Sequence, residues 1–335
     1  MIAPRQNLSR HLRAESPRGG ATPPGIATLI EAIAGGAIRL ARELRRAALE
    51  GETGLSGVVN PTGDSQKRLD VVADRLMTEA LESTGLVAGL VSEESEEPKS
   101  LAQGSKAEYI VCIDPLDGSS NSDIDGAVGT IFGIFRRTGS GPLDVGRDLL
   151  RPGAEQAAAG YVLYGPGTIL VQTTGQGVFG FTLDDDRGEF LLTHDAMRCP
   201  QRGRCYSANL GNIRHWHPNV RAYIDHITTP DTATRRPYSL RYAGALVADL
   251  HRTLLEGGIY FYPADSAHAS GKLRLMYECG PLALVAEQAG ARAGTGAGRI
   301  LEIRAESIHQ RVPFVIGSAD DVALFEQFTK EGRPA

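Results

Sequence analysis

Ile113-Asp114-Pro115-Leu116-Asp117-Gly118-Ser119-Ser120-Asn121 follows the apolar run Tyr109–Ile113, and the rest of the chain is organised around it. The apolar run reads as a strand that delivers Asp114 to its end. Pro115 and Gly118 then call for a turn that brings Asp117 back beside Asp114. Two carboxylates three residues apart on a tight turn form a hard-oxygen site suited to Mg²⁺ or Mn²⁺. After them, Gly118-Ser119-Ser120 offers backbone N–H groups and two hydroxyls, the donors with which a loop cradles phosphate. Alone, the same string also makes an Asx-rich surface turn, so its neighbours decide.

Other acids shift the balance. Val91-Ser92-Glu93-Glu94 lies just past a second apolar strand, and neighbouring strand ends can bring Glu93 and Glu94 to Asp114. Ser95-Glu96-Glu97 beyond them reads as a solvated charge run. Thr62-Gly63-Asp64 and Asp70 flank a short loop entering a helix, and Gly271–Glu278 opens a helix with Lys272, Arg274 and Glu278. Clustered carboxylates ~4 Å apart repel strongly in a partly dry site, and bound cations resolve that repulsion. Metal ligands beside a phosphate loop mean phosphoryl chemistry.

Outward from this centre, apolar residues recur at helical spacing from Ile26 to about Leu49 and from Leu69 to Ala80. Short β-type runs follow at Val87–Val91, Tyr109–Ile113, Thr130–Phe135, Gly160–Tyr164, Ile169–Thr173 and Val178–Leu183. Several pass straight into turns, which implies a largely antiparallel sheet flanked by helices. The polar stretch Asp195–Gly203 makes a seam. Beyond it come a strand near Tyr206, helices Val220–Ile227 and Gly244–Leu255, and strand Ile259–Tyr262. Helix Leu273–Ala289, strands Ile300–Ile303 and Val315–Gly317 and a helix from Asp320 complete an α/β chain of stacked helix and sheet layers (α+β layered). The expected division is a flexible tail over 1–24, an α/β domain over 25–195 and a second over 196–335.

The chain of 335 residues is 41% hydrophobic and 22% charged, with a formal net charge of -5. That is a globular composition, and the acidic balance argues against nucleic acid as a partner. No uninterrupted apolar run approaches the ~18 residues of a membrane helix. Four scattered cysteines form no CxxC pair, which fits a reducing cytoplasm. His215-Trp216-His217 reads as a surface loop entering a helix, and His251 and His309 as hydrogen-bonded packing residues.

At these motifs the sequence resembles class I fructose-1,6-bisphosphatases, within the superfamily that includes inositol monophosphatases. The resemblance runs through Thr62-Gly63-Asp64, Asp114–Asn121, Gly129–Ile134, Ala159–Tyr161, Arg241-Tyr242, Val247–Leu254, Tyr262–Ala264, Gly271–Cys279 and Ile308–Arg311. It implies the sugar-phosphatase fold, a homotetramer, and two or three Mg²⁺ per subunit, with Mn²⁺ as a substitute. By position it makes Glu93, Asp114, Asp117, Glu278 and the carbonyl of Leu116 metal ligands, with Asp64 a loop-dependent addition. Glu94 and Asp70 match the acids that take the proton of the attacking water. Asp117, Gly118, Ser119, Ser120 and Arg274 would hold the scissile 1-phosphate. The 6-phosphate would sit among Asn209, Tyr242, Tyr262 and Lys272, with Arg241 reaching in from a neighbouring subunit. A phosphate anchored at a distance orients the sugar for in-line attack.

The implied reaction is hydrolysis of fructose 1,6-bisphosphate to fructose 6-phosphate and phosphate, in gluconeogenesis or the Calvin cycle. Rival expectations are sedoheptulose 1,7-bisphosphatase activity, alone or additional, inositol monophosphatase, and an inactive sugar-phosphate-binding regulatory homologue. Two departures matter. Asn212 stands where family members carry a tyrosine of the 6-phosphate pocket, and the segment Thr138–Pro152 lacks the regulatory cysteines of chloroplast forms. Many class I enzymes bind AMP on a Gly-Glu-x-Thr turn opening the first long helix, with a Lys-Tyr pair and an arginine nearby. Here Pro24, Gly25, Ile26 and Ala27 occupy the turn and Glu108-Tyr109 the pair, leaving Arg136 in register. AMP regulation is therefore expected to be weak or absent.

Overall fold

The computed structural model describes residues 5–14, 21–59, 63, 65–101, 107–139 and 141–331. Helices α1 (Leu8–Arg13) and α2 (Pro24–Glu50) come first, and the antiparallel pair β1 (Leu55–Val59) and β2 (Ser65–Lys67) leads into α3 (Arg68–Glu82). Then follow β3 (Val87–Ser92), β4 (Lys99–Ser100), β5 (Tyr109–Asp117), β6 (Val128–Arg136), β7 (Gln156–Tyr164), β8 (Thr168–Thr173), β9 (Phe179–Asp184) and β10 (Glu189–His194). These make an eight-stranded sheet in the order β10-β9-β8-β7-β6-β5-β3-β4. Every neighbouring pair is antiparallel except β3 with β5.

The second half runs β11 (Cys205–Ser207), α4 (Pro218–Thr228), β12 (Ser239–Leu240), α5 (Leu246–Glu256), β13 (Ile259–Tyr262) and β14 (Leu273–Arg274). It ends with α6 (Gly280–Gln288), β15 (Arg292–Gly294), β16 (Arg311–Val312), β17 (Phe314–Gly317) and α7 (Ala319–Glu331). Its five-stranded sheet has the order β12-β11-β13-β17-β15, and β14 and β16 form a separate ribbon.

Burial explains the stacking. Ile26, Ile30, Leu76 and Met77 of α2 and α3 pack against Val111, Phe132 and Leu170 on one face of the large sheet. The other face, with Ile110, Cys112 and Tyr161, meets Leu250 of α5 and Leu282 of α6. Those two helices also cover Tyr260, Phe314 and Ile316 of the small sheet. Tyr223 of α4 and Phe325 of α7 close its outer side against Phe261. The result is helix, sheet, helix, sheet, helix, with α5 and α6 of the second half completing the core of the first. Because both faces of β5 are covered, all nine of its residues are buried and its apolar run does not alternate. A large-to-small change in the shared layer, Leu250→Ala, is expected to cost about 2–5 kcal/mol. Helix α2 is long and apolar enough to cross a membrane, yet 56% of its most apolar window is buried inside the fold.

Several local expectations change. Residues 5–14 are not a loose tail: Leu8 and Leu12 are buried, and Leu192 N donates to Gln6 O at 2.9 Å. Six residues make a marginal helix alone, so this one exists by docking. Helix Leu273–Ala289 begins later. Leu273-Arg274 is strand, Leu275–Cys279 is a single wide π-type turn, and α6 starts only at Gly280. Pro281 has no N–H with which to continue a regular ladder backwards. Ile300–Ile303 is not a strand, because Ile300–Glu302 forms a 3₁₀ turn with Ile300 and Leu301 buried. Short apolar runs do not distinguish a buried turn from a strand. The strands Glu189–His194 and Arg292–Gly294 were not expected.

Candidate active site

Strand β5 carries the first two acids by a different device from the expected turn. Asp114 pairs with Ile131 and Asp117 with Gly129, so three steps on β5 face two on β6. In an unbroken strand, residues three apart point to opposite faces. The extra residue of the bulge returns Asp117 to the side of Asp114, and the strand runs on to Asp117. Leu116 N, between them, donates to Asp114 Oδ1 at 3.0 Å. Asp117 sits against the start of α5, accepting from Leu246 N at 3.3 Å and Val247 N at 2.8 Å.

Glu278 arrives from the wide turn Leu275–Cys279, where Arg274 N donates to its Oε2 at 2.5 Å. Carboxylate oxygens of Asp114, Asp117 and Glu278 all lie within 4.8 Å of one another, and all three residues are buried. Glu93 joins them because its N–H extends the β3–β5 pairing, donating to Ile113 O at 3.2 Å. Burial pushes the Asp114 carboxyl well above the usual range, and the charges of Glu93, Asp117 and Glu278 push it further. Glu278 rises for the same reasons, burial first and then Glu93. Asp117 is raised to about 6 by burial, offset in part by the two α5 N–H groups.

Beside this trio stand Glu94 and Asp70, the two acids that the resemblance makes proton acceptors. Burial raises Glu94 to about 8, the amide of Gln66 opposes that rise, and Asp70 and Glu93 add to it. Asp70 caps α3, accepting from Lys67 N at 2.6 Å and bonding the Ser119 hydroxyl, and burial raises its carboxyl too. Buried hard oxygens in anionic excess, held by elements on both sides, fit a divalent cation with oxygen ligands. Asp64, also read as a ligand, lies outside the described residues.

The phosphate loop follows at once. Gly118 adopts φ 72°, and a Cβ there would come within 2.4 Å of Ala245 Cβ, so only glycine fits against the start of α5. Ser119–Ile124 winds into a 3₁₀ turn with Ser119 half-buried and Ser120 exposed. Asn121 Nδ2 ties it down by donating to Ala127 O at 3.1 Å and Ala243 O at 2.9 Å. Arg274 is buried next to Glu278, with Nη1 donating to Lys272 O.

The distal residues gather around β13. Tyr262 is buried at its end, and Asn212 Nδ2 donates to the Tyr262 hydroxyl at 2.9 Å. Asn209 opens the adjoining turn, accepting from Gly211 N at 3.0 Å. Tyr242 is 39% exposed, yet the partial burial of its hydroxyl, then the charges of Tyr262, Asp249 and Asp117, raise it to about 12. Lys272 is exposed two residues before Arg274, and Arg241 is exposed with Nη1 donating to Leu240 O at 3.0 Å. Asp249, which the sequence reading missed, accepts from Ala243 N at 3.1 Å and from Arg252, fixing the backbone after Tyr242. The Asp249–Arg252 spacing along α5 was its only signal. His215 and His217 join no such metal-capable group among the described residues, and His251 Nδ1 bonds the Tyr161 hydroxyl at 2.8 Å.

Five alternating layers, converging buried carboxylates and a serine-bearing turn beside them define a class of metal-dependent sugar phosphatases. The family models described as Fructose-1-6-bisphosphatase, N-terminal domain, and Fructose-1-6-bisphosphatase, C-terminal domain, match residues 5–195 and 199–330. The chain is 52% identical over 296 residues to a class 1 fructose-1,6-bisphosphatase of Acaryochloris marina, covering 88% of this chain and 89% of that one. It is 45% identical over 306 residues to the class 1 enzyme of Chlorobaculum parvum, covering 91% and 92%. The holo crystal structure of Leishmania major fructose-1,6-bisphosphatase superposes with a TM-score of 0.90 at 39% identity, covering 97% and 98%.

The chain belongs to the fructose-1,6-bisphosphatase family. It is a phosphoric monoester hydrolase that converts fructose 1,6-bisphosphate to fructose 6-phosphate and phosphate.

Proposed function

We propose that the hydrolysis depends on two or three Mg²⁺ per subunit, with Mn²⁺ as a substitute, held by Glu93, Asp114, the Leu116 carbonyl, Asp117 and Glu278. Asp64 is a further candidate ligand. The observation that carries this is the convergence of three buried carboxylates within 4.8 Å, directly ahead of the phosphate loop. When bound, the ions supply a water of lowered pKa and neutralise charge on the phosphate oxygens. The chain's own groups do the rest. Glu94, made a stronger base by burial, takes the proton of the attacking water with Asp70 beside it. Gly118 N–H, Ser119, Ser120 and Arg274 hold the 1-phosphate, while Asp117 stays anchored to α5. Asn209, Tyr242, Tyr262 and Lys272 hold the 6-phosphate and fix the sugar for in-line attack.

Asn212 reaches this pocket through the Tyr262 hydroxyl, so the amide replaces a tyrosine without emptying the site. The class 1 fructose-1,6-bisphosphatases at 45% and 52% identity support the six-carbon bisphosphate over the seven-carbon one. Side-by-side kcat/KM values for the two sugars test it, with equal values overturning the preference. We also infer a cytoplasmic homotetramer in which Arg241, exposed on the single subunit, reaches a neighbour's 6-phosphate. AMP control is weak or absent in this reading. Phosphate release from fructose 1,6-bisphosphate with and without Mg²⁺ is the deciding assay for the metal mechanism.

A further inference from the structure

The acids of the site sit on two separate supports. Glu93 and Glu94 follow β3, whereas Glu278 lies on the turn Leu275–Cys279 from the other half of the chain. No strand pairing joins the segment after Glu93 to that turn among the described residues. The His309 side chain reaches both. His309 Nδ1 lies 2.9 Å from the Tyr277 hydroxyl, and His309 Nε2 lies 3.4 Å from Glu96 O, with Ser95 O a second acceptor nearby.

Chemistry assigns the protons. A carbonyl only accepts, so Nε2 carries the hydrogen and points it at the Glu96 end. Nδ1 is then an acceptor, and the Tyr277 O–H donates into it. Tyr277 is fully buried beside Glu278, and its ring meets the imidazole edge-on at 5.8 Å and 71°. His309 itself is held firmly. The next residue accepts from the turn, Leu275 N to Gln310 O at 2.8 Å, and Arg311 and Val312 pair with Arg274 and Leu273.

We propose that His309 is a positioning residue for the acid cluster, pinning the segment that carries Glu93 and Glu94 to the turn that carries Glu278. Through Tyr277, it sets the separation of ligands arriving from the two halves. Groups behind metal ligands commonly govern metal affinity in this way. A packing histidine alone would affect stability and leave cation affinity untouched. The inference rests on the metal reading above.

The experiment is a Mn²⁺ titration of the full chain, with free Mn²⁺ read by its EPR signal, in the absence of substrate. His309→Leu should weaken Mn²⁺ binding about 10-fold. Tyr277→Phe, which deletes one hydroxyl, should weaken it about 3-fold. His309→Gln should restore most of the affinity, because its amide can both donate to Glu96 O and accept from Tyr277. With saturating Mn²⁺, kcat of His309→Leu should recover while the half-saturating metal concentration stays high. Wild-type Mn²⁺ affinity in folded His309→Leu, or in Tyr277→Phe should the leucine variant fail to fold, overturns the proposal. Failure of the wild-type chain to bind Mn²⁺ at all overturns the metal reading and this inference with it, an outcome distinct from equal affinities.

Discussion

Asp148 and the trio Asp114, Asp117 and Glu278 are all buried acids, and the chain treats them in opposite ways. Around Asp148 it supplies every counter-charge itself: Arg137 Nη2 at 3.1 Å, Arg147 Nη2 at 2.8 Å and Asp144 N at 3.1 Å. Burial pushes that carboxyl up, but the hydrogen bonds from Arg147, Asp144 N and Arg137 outweigh it and hold it at about 2. Around the trio the neighbours are mostly more acids, and burial raises all three. Arg274 is the cation that lowers Glu278, against Glu93 and Asp117 raising it. A compensated acid serves the fold, here the segment after β6 that lacks the regulatory cysteines. An uncompensated cluster is built to be completed by something from outside.

The strongest way to break this contrast is to remove what completes the cluster. Exhaustive treatment with EDTA should abolish phosphate release, and Mg²⁺ or Mn²⁺ should restore it. Full activity after chelation would end the metal mechanism. The next test acts on the compensated acid. Asp148→Asn should destabilise the fold by about 3 kcal/mol, the low end for breaking a buried pair, because Arg147 is half-exposed and keeps its water. Denaturant unfolding measures this, and kcat/KM should stay near wild type.

The pH dependences should have opposite signs. Asp148 is depressed on folding, so its contribution is present above the ordinary carboxylate pKa of about 3.9 and lost as pH falls through about 2. Asp148→Asn should therefore flatten the acid limb of the stability profile. Asp117 is raised on folding, so its contribution to the metal-free chain is present below about 3.9 and lost as pH rises through about 6. Thermal midpoints of the metal-free chain should fall across that window, and Mg²⁺ should stabilise more at pH 8 than at pH 5. Parallel behaviour of the two sites would refute the distinction. Within the cluster, Glu94→Gln should keep substrate binding and lower kcat about 100-fold. Retention of more than about a third of kcat would move the proton acceptor elsewhere.

How much of this was legible in sequence follows from distance along the chain. Asp114 and Asp117 announce themselves because ligands, turn residues and phosphate donors are adjacent. The bulge that aligns them was not legible, since it depends on the register of β6 against β5. Glu278 was legible through its motif, but its support was misread as helix, because the π-type turn is set by Pro281 and by the ribbon with Arg311. Gln66 carried no local signal, and His309 was legible as a hydrogen-bonded residue but not by its contacts, because the partners Glu94 and Tyr277 lie far off in sequence. The docking of α1 was hidden for the same reason, its Leu8 and Leu12 being too few to show a period.

The smallest expected effect concerns AMP, and it extends the contrast to a surface site. A cavity of about 400 Å³ does open at the start of α2, lined by Arg13, Pro23, Pro24, Ala27 and Thr28 among others. The cation that lines it and the one in register from β6 are both already engaged. Arg13 pairs with Glu31 at 3.0 Å, and Arg136, the one cation left in register with the family's AMP site, pairs with Glu108 at 3.2 Å. The Thr28 hydroxyl, which would have to stand in for the lost threonine at Ala27, donates to Pro24 O at 3.0 Å. Pro23 and Pro24 bring no N–H to the helix start, so the phosphate donors there are reduced to the N–H groups of Gly25 and Ile26. The Tyr109 ring presses on Gly25 so closely that a Cβ there would sit 2.6 Å from its hydroxyl. Lost donors and one added anion together should weaken AMP by about 10–100-fold. An AMP titration at saturating Mg²⁺ and substrate near KM should show almost no inhibition at physiological concentrations, and half-inhibition in the low micromolar range would break the argument. Glu108→Lys sharpens it. That change releases Arg136 and replaces an anion with a cation, so AMP sensitivity should rise about 10-fold if charge compensation is what silences the site. An unchanged response would place the cause in the prolines at the helix start instead.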